Sequence, residues 1–167
     1  MIPAPPPLVA TDAFVHVSTS FEFMIDAPLA RAAPLFGPEG ERVWGGKAWD
    51  PHFAYPRPAK DIQGAVFTVR HADLESIWIN TVFDLAAGRM QYVSVVPGVM
   101  ANVIDVELSS VGPRTHARVT YTRTALRVSA NEHVRTLAAH DAASGPEWQS
   151  SITRALGHAG EPGASKP

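Results

Sequence analysis

Between residues 65 and 126 the chain carries five strand-forming segments so close together that their pairing has little freedom. Segments 65–71, 75–84, 89–96, 99–109 and 115–126 are rich in Val, Ile, Thr and aromatic residues, which suit a pleated, half-buried surface. Their separators are His71-Ala72-Asp73, Ala86-Ala87-Gly88, Pro97-Gly98 and Val111-Gly112-Pro113, all with turn chemistry and hairpin length. Parallel neighbours need a long crossover, so these segments must form an antiparallel meander.

The flanks add two kinds of element. Val15, Val17, Phe21, Phe23 and Ile25 recur with a period of two, a half-buried strand that stops at Asp26-Ala27-Pro28. Asp26 is expected to cap a short helix running through Phe36, which Pro34 ends or kinks. Gly37-Pro38-Glu39-Gly40 then starts a second brief turn leading to Trp44, and residues 45–58 read as an ordered loop with a short edge strand. After residue 126 the period changes. Val134, Leu137, Ala138, Asp141, Gly145, Trp148, Ile152, Ala155 and Leu156 trace one helical face. Ser129-x-x-Glu132 and Ser144-Gly145-Pro146-Glu147 each fit a capping box, so a break is expected at the second. The folded domain is expected over 12–157, with a Pro-rich arm at 1–11 and a flexible Gly/Pro/Ser tail at 158–167.

Alternation selects candidate inward positions. Phe67, Val69 and His71 share one strand face, Met90, Tyr92 and Ser94 another. Met100, Asn102, Ile104, Val106 and Leu108 follow, then Val119 and Tyr121. Between Ile77 and Phe83 both faces are apolar, so the inward face there is open. The expected class is α+β: a curved antiparallel sheet of about six to seven strands wrapped on a long C-terminal helix, with two short helices after the first strand. One sheet and one main helix fill a curved interior incompletely, which leaves room for a cavity.

This order of elements resembles the START-like, or SRPBCC, superfamily of helix-grip proteins over residues 14–156. The likeness rests on Asp26-Ala27-Pro28, Pro38-Glu39-Gly40-Glu41-Arg42-x-Trp44, Trp49-Asp50-Pro51, the Gly64-x-Val66-Phe67 strand entry, Trp78, Tyr92, Pro97-Gly98 and Tyr121-Thr122-x-Thr124-Ala125-Leu126. The resemblance implies an internal pocket for lipids, hormones, polyketide intermediates or other apolar molecules. It implies no particular reaction, since fold does not fix function.

Composition narrows the chemistry. With 14 Lys plus Arg, 16 Asp plus Glu and no clustering of basic residues, the chain lacks the footprint of a nucleic-acid binder. It has no cysteine, which removes disulfides, thiolate metal sites and cysteine nucleophiles. No Gly-x-Ser-x-Gly elbow, phosphate loop or dinucleotide fingerprint occurs. His133 and His140 are seven residues apart, but nothing resembles His-Glu-x-x-His, and surface histidines account for them better. Glu39, Glu41 and Arg42 read as a solvated turn, with Arg42 held by a carboxylate. No cofactor, metal or membrane span is expected, and the cytoplasm is the default location; a homodimer through a strand edge or the Pro-rich arm is compatible with the pattern.

The expected function is binding of an apolar small molecule or lipid-like ligand. The alternative is a polyketide cyclase, aromatase or dehydratase using the same pocket, with His71 or Tyr121 as acid or base. Candidate pocket residues are Trp44, Trp49, Phe67, His71, Trp78, Tyr92, Met100, Asn102, Tyr121, Trp148 and Ile152. Trp148, Ile152 and Leu156 would form the roof, and Trp44 and Trp49 the mouth. For each tryptophan, ordinary core packing is an equally good account.

Overall fold

A computed structural model of the chain describes residues 13–158; the arm at 1–11 and tail residues 159–167 lie outside the described residues. Seven strands form one antiparallel sheet: β1 (His16–Ile25), β2 (His52–Tyr55), β3 (Val66–His71), β4 (Leu74–Asp84), β5 (Arg89–Val96), β6 (Met100–Val111) and β7 (Arg114–Ala125). Their spatial order is β1-β7-β6-β5-β4-β3-β2. The last five strands meander as the short separators require, β2 pairs with β3 at one edge, and β1 pairs with β7 at the other. Among the described residues three helices complete the fold: α1 (Leu29–Ala32), α2 (Asn131–Ala142) and α3 (Gly145–His158). Tight 3-10 turns cover Ala33–Phe36, Gly40–Val43 and Val128–Ala130.

Strand register puts particular side chains side by side. One row crosses all seven strands as Val17, Arg123, Asn102, Ser94, Trp78, Phe67 and Phe53. The next row carries Thr19, Tyr121, Ile104, Tyr92 and Asn80. Both rows face the helices. The inward parity of β4 changes at a bulge between Asn80 and Val82. An extra residue inverts the alternation, so Ser76 and Asn80 are buried and Trp78 half-buried before it, while Ile77, Ile79 and Val82 are exposed.

Helices α2 and α3 lie across this concave face, the first against β1 and β7 and the second against β1. The break between them falls at Ala143-Ser144, where the sequence places it. Several local expectations resolve differently. Asp26 does not cap α1, whose first turn has no side-chain cap, because it pairs with Arg114 at 2.7 Å. The Ser129 capping box does not form either. Asn131 instead ties the start of α2 to the entry of β1, accepting from Val15 N at 2.9 Å and donating to Ala13 O at 3.2 Å. The Ser144 hydroxyl bonds back to His140 O at 2.9 Å.

The strongest polar link between helix and sheet is buried. Arg123 on β7 donates to both carboxylate oxygens of Asp141 on α2, at 2.6 and 2.8 Å, with the side chains only 10% and 7% exposed. Asn102 accepts a third bond from Arg123 at 3.1 Å and donates to Ser94 at 2.9 Å. Breaking such a pair leaves a stranded charge, which costs more than replacing both partners by apolar groups. Asp141→Ala should therefore lose about 3–5 kcal/mol in urea unfolding, whereas Arg123→Met combined with Asp141→Leu loses markedly less.

Candidate functional site

Residues 37–51 form a scaffold whose parts are nearly all committed to one another. Asp61 accepts from the amides of Glu39 at 2.8 Å and Gly40 at 3.1 Å, pinning the turn. Arg42 donates to Glu39 at 2.8 Å, to Asp50 at 2.8 Å and to Pro51 O, which confirms its structural reading. The indole N–H of Trp44 donates to Leu35 O at 2.7 Å and that of Trp49 to Pro38 O at 2.9 Å. Glycine is required at three points, the first being Gly37, where a Cβ would stand 2.2 Å from Asp61 Oδ2. A Cβ on Gly40 would stand 1.8 Å from Pro34 O, and one on Gly45 would stand 2.9 Å from Glu41 Cγ and 3.0 Å from Trp49 Cβ.

Within this scaffold one side chain is left over. Glu41 turns into the space between the turn and the sheet, where its carboxyl makes no hydrogen bond among the described residues. Burial, and then the nearby Asp61 carboxylate, push its pKa from an ordinary 4.5 to about 8. This corrects the solvated reading: Arg42 and Glu39 face water, but the 3-10 turn rotates the residue between them inward.

The space that Glu41 enters has two adjoining compartments. The inner one, about 40 Å³, is enclosed by Phe36, Pro38, Tyr92 and Val106. The outer one, about 430 Å³, extends past Ser76, Ser94, Met100, Asn102 and Arg123 toward Leu137 and His140 on α2. Glu41, Trp49, Trp78, Ile104, Tyr121 and Trp148 line both. Trp49 meets Trp78 edge to face, with centroids 5.4 Å apart, and the Arg123 guanidinium lies 4.6 Å over the Tyr121 ring. Burial pushes the phenol pKa of both Tyr92 and Tyr121 upward, and proximity to Glu41 adds to this. A wider concavity of about 900 Å³ between Trp44 and α3 is an open surface groove edged by Arg42, Lys47 and Arg154.

Of the residues singled out from sequence, Trp49, His71, Trp78, Tyr92, Met100, Asn102, Tyr121 and Trp148 line one compartment or both. Three others do not. Trp44 lies behind the cavity against Trp148, at a centroid distance of 4.9 Å, and walls the outer groove rather than a mouth. Phe67 is fully buried, stacked between Phe53 and Trp78. Ile152 is fully buried in the helix–sheet core one turn past Trp148, so the roof at the cavity is Trp148 with Leu137 and His140. His71 is exposed at the tip of the β3–β4 hairpin, on the rim of the outer compartment. Tyr92 spends its hydroxyl on Phe36 O.

Sequence reasoning passed over Glu41, Arg123 and Asp141 as site groups. Arg123 was legible, because the alternation that turns Val119 and Tyr121 inward continues to it, and a buried guanidinium calls for a carboxylate. Asp141 stands on the apolar helix stripe and supplies that partner. Glu41 gave no such signal, since the direction of a side chain from a short turn depends on what pins the turn.

No protein-family model matches the chain, and no curated protein matches it. Solved structures do. An uncharacterised protein from Rhizobium leguminosarum superposes with TM-score 0.62 at 17% identity, covering 85% of this chain and 97% of its own. Norcoclaurine synthase from Thalictrum flavum, solved with dopamine and hydroxybenzaldehyde, superposes with TM-score 0.63 at 9% identity and 98% coverage of each chain. CalU16 from Micromonospora echinospora gives TM-score 0.54 at 12% identity, covering 87% of this chain and 85% of its own. At these identities the likeness is one of fold, and the fold is the helix grip.

The Glu41 carboxyl imposes a pH dependence with a definite sign. It titrates near 4.5 when unfolded and near 8 when folded, so the folded state holds the extra proton between those values. Its contribution to stability is full below 4.5, declines as pH rises through the window, and levels off above about 8. Glu41→Gln removes that decline. Thermal midpoints measured from pH 5 to 9 should therefore fall for the wild type relative to the variant, and parallel curves would contradict the raised pKa of Glu41.

Proposed function

We propose that this chain binds an apolar, ring-bearing or lipid-like small molecule in the cavity between the sheet and α2–α3. The observation that carries this reading is the outer compartment. At about 430 Å³ it falls within the range of small-molecule sites, and its walls combine aromatic faces with a few polar groups. Burying about 200 Å² of apolar ligand surface at ~25 cal/mol per Å² supplies about 5 kcal/mol before association costs. The aromatic ligands of the norcoclaurine synthase structure support the reading, because they are held by a chain of the same fold. Among the described residues no helix is long and apolar enough to cross a membrane.

A second reading, a cyclase, aromatase or dehydratase acting on a polyketide-like substrate, draws on one observation. Glu41 and Tyr121 line both compartments without a side-chain hydrogen-bond partner among the described residues, and His71 stands at the rim. There the cavity would fold a flexible chain into a reactive conformer while one of these groups moves a proton. Tyr121→Phe or His71→Ala should then abolish turnover with binding nearly intact; loss of both together marks the residue as part of the wall instead.

The binding reading is tested by native mass spectrometry of the purified chain, solvent extraction, and thermal shifts against a lipophilic panel. Ile104 lines both compartments, so Ile104→Trp should plug their junction. Binding should weaken about tenfold or more, at a stability cost of about 1–3 kcal/mol from overpacking. A panel that yields neither a carried species nor a thermal shift removes the support for a ligand cavity.

A further inference from the structure

We propose that Glu41 recognises a protonated amine: the ligand is an organic cation with an apolar, ring-bearing body between the aromatic walls and its ammonium group on the Glu41 carboxylate. This rests on the reading of the chamber as a ligand cavity and specifies which ligands it takes.

The first argument is an accounting of hydrogen bonds. Around Glu41 several wall donors are spent within the protein. Trp49 donates to Pro38 O, Trp78 to the Ser76 hydroxyl, Ser76 to Val69 O and Tyr92 to Phe36 O. All three Arg123 nitrogens bond Asp141 or Asn102. Glu41, the Tyr121 hydroxyl and the Trp148 N–H make no side-chain hydrogen bond among the described residues. Glu41 is half-buried, and its carboxyl borders the cavity with no protein partner among the described residues, so a donor-rich ligand there would supply one.

The second argument is charge. Arg123 is offset by Asp141, and the Asp61 carboxylate behind the turn adds negative potential at Glu41. A carboxylate ligand is therefore repelled and a cation drawn in. The third is the walls themselves. Trp49, Trp78, Trp148 and Tyr121 border the same space as Glu41, and Tyr121 already carries one cation on its face. Aromatic faces beside a carboxylate suit an ammonium group.

Binding a cation here must ionise Glu41, so a proton leaves as the amine enters. The groups around the cavity are Asp61 on the loop before β3, His71 at the end of β3, Tyr92 on β5, Tyr121 and Arg123 on β7, and His140 and Asp141 on α2. Tyr92 and Tyr121 stay neutral, their pKa values being raised. Amine affinity should consequently increase as pH rises from 6 toward 8.

Isothermal titration calorimetry of the full chain, with 4-phenylbutylamine and its neutral counterpart 4-phenylbutan-1-ol as probes, decides the matter. At pH 7 the amine should bind about tenfold tighter or better. Titrations in phosphate and Tris, whose ionisation enthalpies differ, should show close to one proton released per amine and none for the alcohol. Glu41→Gln should erase both the preference and the proton release while keeping its far-UV spectrum, whereas the exposed Glu132→Gln changes neither. The wild-type proton count stands even if Glu41→Gln fails to fold. Equal affinity for the two probes, or a preference that survives in Glu41→Gln, overturns the amine assignment and leaves the cavity reading standing. Failure of both probes while another apolar ligand binds has the same meaning. If no apolar compound binds at all, the cavity reading falls and this one with it.

Discussion

Arg123 and Asp141 sit where the helical layer meets the sheet, and the cavity depends on how that pair is held. Two short bonds fix the end of α2 over β7. Asn102 and Ser94 carry the network on to β6 and β5 along a single row of the sheet. A guanidinium this deep cannot relax toward water, so the distance between helix and strands at this point is set by a charge-assisted contact rather than by the collapse of apolar side chains. The apolar layers to either side can pack fully, around Phe21, Phe23 and Ile152 on one side and around Val96, Met100 and Val134 on the other. Between them the polar row holds the layers at a fixed spacing beside the open space.

The second support is the turn from Gly37 to Pro51. Here Asp61, Arg42 and two indole N–H groups consume the available polar partners, and Gly40 admits no side chain without striking Pro34. Such a pinned turn can force a carboxyl into an apolar chamber, because re-aiming it would cost several hydrogen bonds at once. The raised pKa of Glu41 is the electrostatic consequence. Scaffold and chamber are therefore one arrangement: the aromatic residue that braces the turn, Trp49, is also a wall of the space that Glu41 enters.

Much of this was legible beforehand. Alternation placed Tyr92, Ser94, Met100, Asn102 and Tyr121 on the inner face, because in a meander with short turns the pleat leaves only two choices per strand. It faltered at β4, where the bulge after Asn80 changes the parity midway and residues on both faces are apolar. The helical stripe located Trp148 correctly, but stripe membership did not separate a cavity wall from the solid core at Ile152, one turn away. Phe67 shows the same limit on a strand: it faces inward but is covered by Phe53 and Trp78.

The sequence by itself determined the antiparallel meander, the inward parity of most strands, the amphipathic C-terminal helix and its break. These follow from turn length and from periods of two and near four, which are local properties of the chain. It also excluded thiol chemistry by composition. The tertiary structure alone decided which inward residues border empty space, because that depends on the separation of layers far apart in sequence. It alone decided that Glu41 points inward, because the 3-10 turn at Gly40–Val43 is fixed by Asp61 and Asp50 from outside it. A residue's face is written in its spacing along the chain; what stands opposite that face is written only in the packing.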